Sequence, residues 1–242
     1  MPSETRFSVN QVGYYKLNTK IGYLVNPKPD AEIFLYRLTD NSQRRITNLS
    51  MESSSLDGLS KVVKIDFTEH QGEGWYFLTD GSIRSPRFQI SDSPFTELLT
   101  TLLRSYYLQR CGYDLNDAMT GLTHAACHVS PEMIVRPLNM QVDKEYKHSS
   151  HFRGGWHDAG DFGRYVATTT VATSRILSTF KDNYHFMRNV DLAVPEKNPL
   201  GDVIAELDYS LEWLLKMQSE TGLVYRKVAG KKWPSLMPPD TD

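Results

Sequence analysis

The hydrophobic pattern of this sequence changes its period at one place, residues 91–94, and that change limits the folds that the chain can adopt. Before this point apolar residues alternate with polar ones, which is the spacing typical of strands. After it they recur every three or four residues, which is typical of helices. A chain of 242 residues is long enough for two such parts. The sequence therefore predicts a β-domain over residues 1–92 and a helical domain over residues 93–242.

The first part contains short runs rich in β-branched and aromatic residues, separated by turn residues. Val63, Ile65 and Phe67 alternate with polar neighbours, as in a strand with one face in water. The runs occupy residues 21–25, 33–36, 62–67 and 75–78. Several strands at this spacing predict a β-sandwich. We expect it to be a structural brace, with a carbohydrate-binding or positioning module as the alternative.

Three stretches of the second part have the apolar spacing of helices. The first begins after Ser93 and Pro94, a capping residue followed by one that favours the first helical turn. The residues expected on the buried faces are Phe95, Leu98, Leu99, Leu102, Leu103, Tyr106 and Tyr107; Val166, Thr169, Thr173, Ile176, Leu177 and Phe180; and Ile204, Leu207, Leu211, Leu214 and Leu215. Trp213 and Met217 are expected in the core. The polar segment 112–152 has no period and predicts a long functional loop.

Composition excludes two classes of partner. The formal net charge is −2, so no basic surface indicates nucleic acid. No apolar run reaches the length of a membrane span.

The first six residues lack the apolar core of a signal peptide. This predicts a cytoplasmic protein if Met1 is the native start, and a secreted one if a leader has been removed.

Two aspartates lie three residues apart in a glycine-rich stretch, residues 153–166. Glycine permits sharp bends and close approach, so the bend can turn Asp158 and Asp161 toward one volume. A water held between two carboxylates is a good nucleophile, because one of them can take its proton. Trp156 offers a flat apolar face of the kind that stacks on a sugar ring. For an isolated pair of aspartates, the favoured alternative is a solvated surface turn.

The whole stretch reads RGGWHDAGDFGRYV and resembles the signature of glycoside hydrolase family 9, the cellulases and related β-glycan hydrolases. Further similarities follow in the family's order, at residues 7–14, 110–112, 127–128 and 211–218. The resemblance implies a multidomain β + α chain: an immunoglobulin-like β-sandwich over residues 1–92, then the N-terminal part of an (α/α)6 barrel over residues 93–242. Phe162 stands where the family more often has tyrosine or histidine.

The same resemblance implies an inverting hydrolysis of β-1,4-glycosidic bonds in cellulose-type glucans or oligosaccharides. By motif position, Asp161 is the general base and Asp158 helps to hold the attacking water. The family takes its proton donor, a glutamic acid, from the C-terminal part of the barrel. We therefore expect the acid to lie outside residues 1–242, with the remainder of the catalytic domain, and the chain alone to be inactive.

A second cluster is expected to bind a metal. Metal-bearing members of the family have similar residues at Cys111, Cys127, His128 and His157. Two thiolates and two imidazoles suit a structural zinc ion, Zn²⁺. On spacing alone, a Cys111–Cys127 disulfide is the alternative, and His124 is the alternative ligand. Calcium, Ca²⁺, accompanies many family members, but no calcium ligands can be assigned.

The substrate is expected to be an oligo- or polysaccharide. Trp156, Tyr225 and Trp233 are the candidate residues for sugar binding. Besides glucan hydrolysis, the family includes exo-β-glucosaminidases that act on chitosan-type oligosaccharides, and the thiol-containing metal set favours such an intracellular role. The alternative of another class is a non-catalytic carbohydrate-binding or scaffold protein. The pair of aspartates favours the enzyme.

Overall fold

A computed structural model describes residues 4–53, 61–129, 134–137, 146–147 and 152–229. The chain divides into two compact units, Met1–Leu99 and Thr100–Asp242. The division lies close to the change of hydrophobic period at residues 91–94. Among the described residues, no helix has the length and apolar character needed to cross a membrane.

The first unit is a β-sandwich, in which the described residues form nine strands. In chain order they are β1 (Arg6–Ser8), β2 (Tyr14–Tyr15), β3 (Ile21–Val25), β4 (Ile33–Arg37), β5 (Gln43–Ile46), β6 (Leu49–Ser53), β7 (Lys61–Asp66), β8 (Gly74–Thr79) and β9 (Phe88–Ser91). One sheet has the order β1-β3-β7-β6 and the other β2-β9-β8-β4-β5. All neighbours are antiparallel except β2 and β9, which run parallel.

The two sheets share one apolar core, as the period-two pattern predicts. Leu24 of β3 is opposite Val63 of β7, and both point inward with Ile65 and Phe67. The second sheet contributes Leu35 to the same core. It also contributes Ile33, Ile46, Tyr76, Leu78, Phe88 and Ile90. Because side chains alternate along a strand, this register places one face of each sheet in the core and the other in water.

From Thr96 onward, the described residues form four helices and several short strands, and α1 crosses the boundary between the two units. The helices are α1 (Thr96–Leu108), α2 (Val166–Asp182), α3 (Tyr184–Met187) and α4 (Asp202–Lys216). All three predicted helices are present, and α3 is a single additional turn. Helices α2 and α4 are joined by a buried hydrogen bond of 2.9 Å between the hydroxyls of Thr173 and Ser210.

The buried face of α4 differs from the prediction. Leu211 and Leu215 are exposed, whereas Glu206 and Ser210 are buried with Val203, Ala205, Leu207 and Trp213. Trp213 and Met217 lie in the core, as expected. The prediction missed Glu206 and Ser210 because it counted apolar residues alone, while a polar residue with a partner can occupy a core position.

Helix α1 also buries a narrower face than predicted. Leu103 and Tyr107 are buried, but Leu98 and Leu102 are exposed. The buried face includes Arg104, whose guanidinium donates to the carbonyl of Leu192 at 2.6 Å and to the carboxylate of Asp117. An arginine with both partners can be buried at a core position, where an apolar pattern does not predict it.

The polar segment 112–152 was expected to be a loop without regular structure. It contains the short hairpin of β10 (Leu115–Asn116) and β11 (Thr123–His124), and the strands β12 (Ile134–Pro137) and β13 (Tyr146–Lys147). With β14 (Arg164–Tyr165) and β15 (Tyr225–Ala229), the last two form a sheet of order β13-β12-β15-β14. The expectation was wrong because strands of two to four residues are too short to show a period.

We expect Leu24→Ala to destabilise the sandwich by about 2–5 kcal/mol, because the truncation leaves a cavity at a fully buried position. Native-state hydrogen exchange of the amides in β3 and β7 measures this free energy directly. The matched control is Leu17→Ala, since Leu17 is 70% exposed. Equal effects of the two changes would contradict the placement of the core.

Candidate functional site

The glycine-rich stretch lies against the C-terminal end of α1. The Cys111 N–H donates to the Gly155 carbonyl and the His157 N–H donates to the Gln109 carbonyl, both at 2.8 Å. These bonds flank an antiparallel bridge between Arg110 and Trp156. The backbone of the stretch is therefore held in register with the residues that end the first helix.

Gly155 allows this stretch to lie directly on α4. Its φ is +75°, and a Cβ at this position would be 2.7 Å from the Trp213 ring. Any other residue would face both a left-handed backbone and a clash with a buried ring. The position therefore requires glycine.

Asp158 and Asp161 lie on one tight bend. The Asp158 N–H donates to the Gly163 carbonyl and the Phe162 N–H to the Ala159 carbonyl, both at 2.9 Å. Phe162 has a φ of +49°, and its ring makes an edge contact with His157. Asp158 is exposed and Asp161 is half-buried. The bend thus presents both carboxylates on a short, hydrogen-bonded loop.

The Asp161 carboxylate has two hydrogen-bond donors. The Tyr165 hydroxyl donates to Oδ2 at 2.5 Å, and the Gly163 N–H donates to Oδ1 at 3.2 Å. The hydrogen bond to Asp161, followed by burial and the charges of Asp161 and Asp158, raises the pKa of Tyr165 to about 12. The hydroxyl is therefore protonated at neutral pH and can only donate to this carboxylate.

The four predicted metal ligands are brought together and all are buried. The ligand atoms of Cys111, Cys127, His128 and His157 lie within 4.8 Å of one another. The two sulfurs are 3.8 Å apart, and each is 3.3 Å from an imidazole nitrogen: Cys111 from Nδ1 of His128, and Cys127 from Nε2 of His157. Residues separated by 16 and 29 positions in the sequence thus share one small volume.

The sulfur–sulfur distance and the two sulfur–nitrogen distances are close to the edges of a tetrahedral zinc site, while the cluster as a whole extends to 4.8 Å. Zinc–sulfur bonds of about 2.3 Å and zinc–nitrogen bonds of about 2.0–2.1 Å imply edges of about 3.8 Å between sulfurs and about 3.6 Å between sulfur and nitrogen. The structure shows neither of the alternatives raised by the sequence. Cys111 and Cys127 are free thiols, and His124 lies outside the cluster, with Nδ1 2.9 Å from the Ala125 carbonyl.

The electrostatics of the cluster favour a cation. Contact with Cys111 and hydrogen bonds from both imidazoles lower the pKa of Cys127. Burial raises the pKa of Cys111 and lowers that of His157. These shifts favour a thiolate at Cys127 and a neutral imidazole at His157, which are the forms that bind a metal. A bound cation would also favour the thiolate form of Cys111.

Trp156 is not available to a sugar. Its side chain is 4% exposed, its indole N–H donates to Oε1 of Glu206 at 2.8 Å, and its ring packs against Tyr106 with centroids 4.6 Å apart. This burial contradicts the expectation that Trp156 stacks on substrate. Its indole N–H has instead the buried partner that a core tryptophan needs.

Glu206 also accepts from Arg110, which has a second carboxylate partner. The guanidinium donates to Glu206 Oε2 at 2.9 Å and to Glu196 Oε2 at 2.7 Å. Burial raises the pKa of Glu206, while the charge of Arg110 opposes that shift. The guanidinium also lies 4.3 Å from the centre of the Tyr209 ring. An ion pair therefore joins the end of α1 to α4 in the interior.

The other candidate sugar-binding residues have different outcomes. Tyr225 is half-buried at the start of β15 and packs edge-on against Phe152, with centroids 5.5 Å apart. Trp233 lies outside the described residues. A role for either in binding sugar therefore stays a prediction.

Sequence reasoning missed Tyr165, Glu206 and Arg164 as supports of the site. Arg164, near the C-terminal end of the glycine-rich stretch, is buried and donates to the carbonyls of Phe152 and Gly154 at its other end. These bonds tie the two ends together. One signal was present: a glutamate immediately before Leu207, within an apolar helical face, indicates a buried partner. Nothing in the sequence indicates that Tyr165 contacts Asp161.

Comparison with known families agrees with this arrangement. The profile of glycosyl hydrolase family 9 matches residues 95–242, which is more than half of the chain. The chain belongs to glycosyl hydrolase family 9. The profile of the cellulase N-terminal ig-like domain matches residues 3–85. The predicted boundary after residue 92 falls between these two matched regions and stays a prediction.

Several curated proteins of this kind are similar over nearly the whole chain. The cellodextrinase of Butyrivibrio fibrisolvens is 28% identical over 93% of this chain and 42% of its own length. Endoglucanase D of Acetivibrio thermocellus is 27% identical over 94% of this chain and 37% of its own length. The chain therefore spans less than half the length of these relatives.

Solved structures of the family have the same fold. A metagenome-derived glycoside hydrolase family 9 endoglucanase is 31% identical, with a TM-score of 0.77 over 98% of this chain and 45% of its own. The Zn-binding triple mutant of GH family 9 endoglucanase J30 is 29% identical, with a TM-score of 0.79 over 95% of this chain and 43% of its own. The predicted fold class is confirmed: an immunoglobulin-like sandwich followed by the first part of a family 9 (α/α)6 barrel.

We expect Glu206→Gln to destabilise the second unit, by at most about 3–5 kcal/mol, because the buried Arg110 then keeps only Glu196 as a charged partner. The measurement is thermal unfolding followed through tryptophan fluorescence. Glu212→Gln is the matched control, since Glu212 is an exposed residue of the same helix. A similar loss in both variants would contradict the importance of the buried pair.

Proposed function

We propose that this chain is part of an inverting glycoside hydrolase that cleaves β-1,4-glycosidic bonds in cellulose-type glucans or oligosaccharides, with Asp161 as general base. The observation that carries the proposal is the Asp161 carboxylate, half-buried and oriented by two donors on a bend within a family 9 chain. A carboxylate fixed in this way can take a proton from a water at a defined position.

In this mechanism a water attacks the anomeric carbon while Asp161 removes its proton. An inverting enzyme holds its two carboxyl groups roughly 6.5–9.5 Å apart so that the water fits between base and sugar. Asp158, exposed on the same bend, accepts the second hydrogen of that water and keeps it in line. The leaving oxygen must receive a proton from the opposite face of the sugar.

We assign that proton to a glutamic acid in the part of the barrel that the relatives have and this chain does not span. The chain covers 36–45% of relatives such as endoglucanase D and the metagenome-derived endoglucanase. Protonation of the leaving group contributes on the order of 10²–10⁴-fold. The chain alone is therefore expected to release no sugar at a measurable rate.

The named relatives favour a glucan substrate. They are a cellodextrinase, endoglucanases and a cellulose 1,4-beta-cellobiosidase. An exo-β-glucosaminidase acting on chitosan-type oligosaccharides is the second candidate within the same reaction class. Tyr225 and Trp233 are proposed sugar-binding residues. A non-catalytic binding or scaffold protein is the alternative of another class. In that case the protein with the complete barrel would bind glycan without releasing sugar, and Asp161→Asn would leave this binding unchanged.

We further propose that Cys111, Cys127, His128 and His157 hold a structural zinc ion. The fit of their donor atoms to a tetrahedron supports this, as does the similar fold of the Zn-binding J30 mutant. A closed set of four ligands leaves no position for water, so the ion supplies stability rather than catalysis. The ligands would tie the end of α1 and residues 127–128 to His157, next to Asp158. No calcium ligands are assigned.

We expect Asp161→Asn, in a protein with the complete barrel, to lower kcat by several orders of magnitude and to leave KM nearly unchanged. Removing a base loses an interaction made only in the transition state. The assay is release of reducing sugar from cello-oligosaccharides and, in parallel, from chito-oligosaccharides. The control is Asp182→Asn at the exposed end of α2. Near-normal hydrolysis by Asp161→Asn would sink the assignment.

We expect about one zinc per chain by elemental analysis, from the four-ligand count of a closed site. Cys127→Ser should lose the zinc and lower the melting temperature more than it changes substrate affinity. His124→Ala should keep the zinc, because His124 lies outside the cluster. A Cys111–Cys127 disulfide found by mass spectrometry would refute the site.

A further inference from the structure

We propose that Tyr165 is a positioning residue for Asp161, holding its carboxylate in the orientation from which it takes a proton from water. The inference rests on the proposed function, since it concerns how the base works. The Tyr165 O–H and the Gly163 N–H each occupy one acceptor position on a different carboxylate oxygen. Each oxygen keeps a second lone pair, so the carboxylate is fixed without being blocked.

Tyr165 is itself held firmly by the backbone. It is the second residue of β14, where it pairs with Lys227 of β15, and it immediately precedes α2 with an extended φ of −119°. The preceding residue, Arg164, is buried and anchored by two carbonyls. A side chain at the junction of a paired strand and a helix has little freedom, so its hydroxyl can define the direction of another group.

Gly163 makes the contact possible. A Cβ at this residue would lie 2.9 Å from a ring carbon of Tyr165 and 3.2 Å from Asp161 Oδ2. Any side chain here would therefore push the ring and the carboxylate apart. The glycine allows the close approach, and its own N–H supplies the second donor.

The charges around the ring keep the hydroxyl in its donating form. The hydrogen bond to Asp161, burial and the nearby carboxylates raise the pKa of Tyr165 to about 12. A protonated phenol cannot accept a proton from the attacking water, so it does not compete with Asp161 for that role.

The kinetic test uses Tyr165→Phe in a protein with the complete barrel. We expect kcat to fall about 10-fold or more with KM within about twofold, because the ring stays and only the orienting hydroxyl is lost. Tyr184→Phe is the matched control, since its hydroxyl accepts a hydrogen bond from Arg188, the residue after α3, and its loss is expected to be silent. A raised KM with normal kcat, or no effect, would overturn the positioning role.

A double-mutant comparison tests whether Gly163 acts through the same contact. Gly163→Ala alone should also lower kcat about 10-fold or more. The added Cβ would lie 2.9 Å from the Tyr165 ring and 3.2 Å from Asp161 Oδ2, so both changes disturb the same carboxylate. Adding Gly163→Ala to Tyr165→Phe should therefore lower kcat by clearly less than the product of the two single effects. Full multiplication of the two effects would show that the glycine and the tyrosine act independently, against the proposal.

A measurement without turnover separates this inference from the proposed function. The ¹³Cζ resonance of labelled tyrosine, assigned by its loss in Tyr165→Phe, reports the pKa of Tyr165. We expect Asp161→Asn to lower that pKa from about 12, because the charged acceptor is removed. An unchanged value would overturn the contact. If Asp161→Asn remained active, the assignment of the base would fail instead.

Discussion

The buried ion pair of Arg110 and Glu206 is the interaction on which the second unit depends. Glu206 lies on α4, Arg110 follows α1, and the indole of Trp156 adds a third hydrogen bond from the glycine-rich stretch. A carboxylate buried this deeply needs such partners, because desolvation of an unpaired charge costs several kcal/mol. The backbone hydrogen bonds Cys111–Gly155 and His157–Gln109 lie on either side of Arg110 and Trp156, the two residues that donate to Glu206. The bend that carries the aspartates is built on this junction.

The sequence predicted the elements better than it predicted their contacts. The sandwich strands and three helices follow from period and capping, which are local properties of the chain. The faces of α1 and α4 were partly wrong, because Arg104, Glu206 and Ser210 occupy buried positions that an apolar count assigns to water. A charged or polar residue is stable in a core only when its partners, which are distant in the sequence, are in place. No local pattern predicts those partners.

The candidate site shows the same contrast between residues that a sequence motif predicts and contacts that depend on distant residues. Asp158, Asp161 and the four candidate metal ligands were predicted because the family motif names them, and the structure brings the four ligands together. The spacing of the two cysteines alone left a disulfide open. Trp156 was misjudged because a tryptophan beside two aspartates suits both a sugar platform and a core hydrogen bond. Its burial is decided by Glu206, 50 residues later. Tyr165 was overlooked because its distance from Asp161 depends on a glycine and a strand partner.

The late position of β15 has a consequence for synthesis of the protein. All strands of the sandwich lie within residues 6–91, so this unit can form soon after it leaves the ribosome. The bend at residues 158–163 has no such independence. Its neighbour Tyr165 pairs with Lys227, and Trp156 needs Glu206. The nascent chain must therefore reach Lys227, 66 residues beyond Asp161, before all the contacts that hold the bend can form.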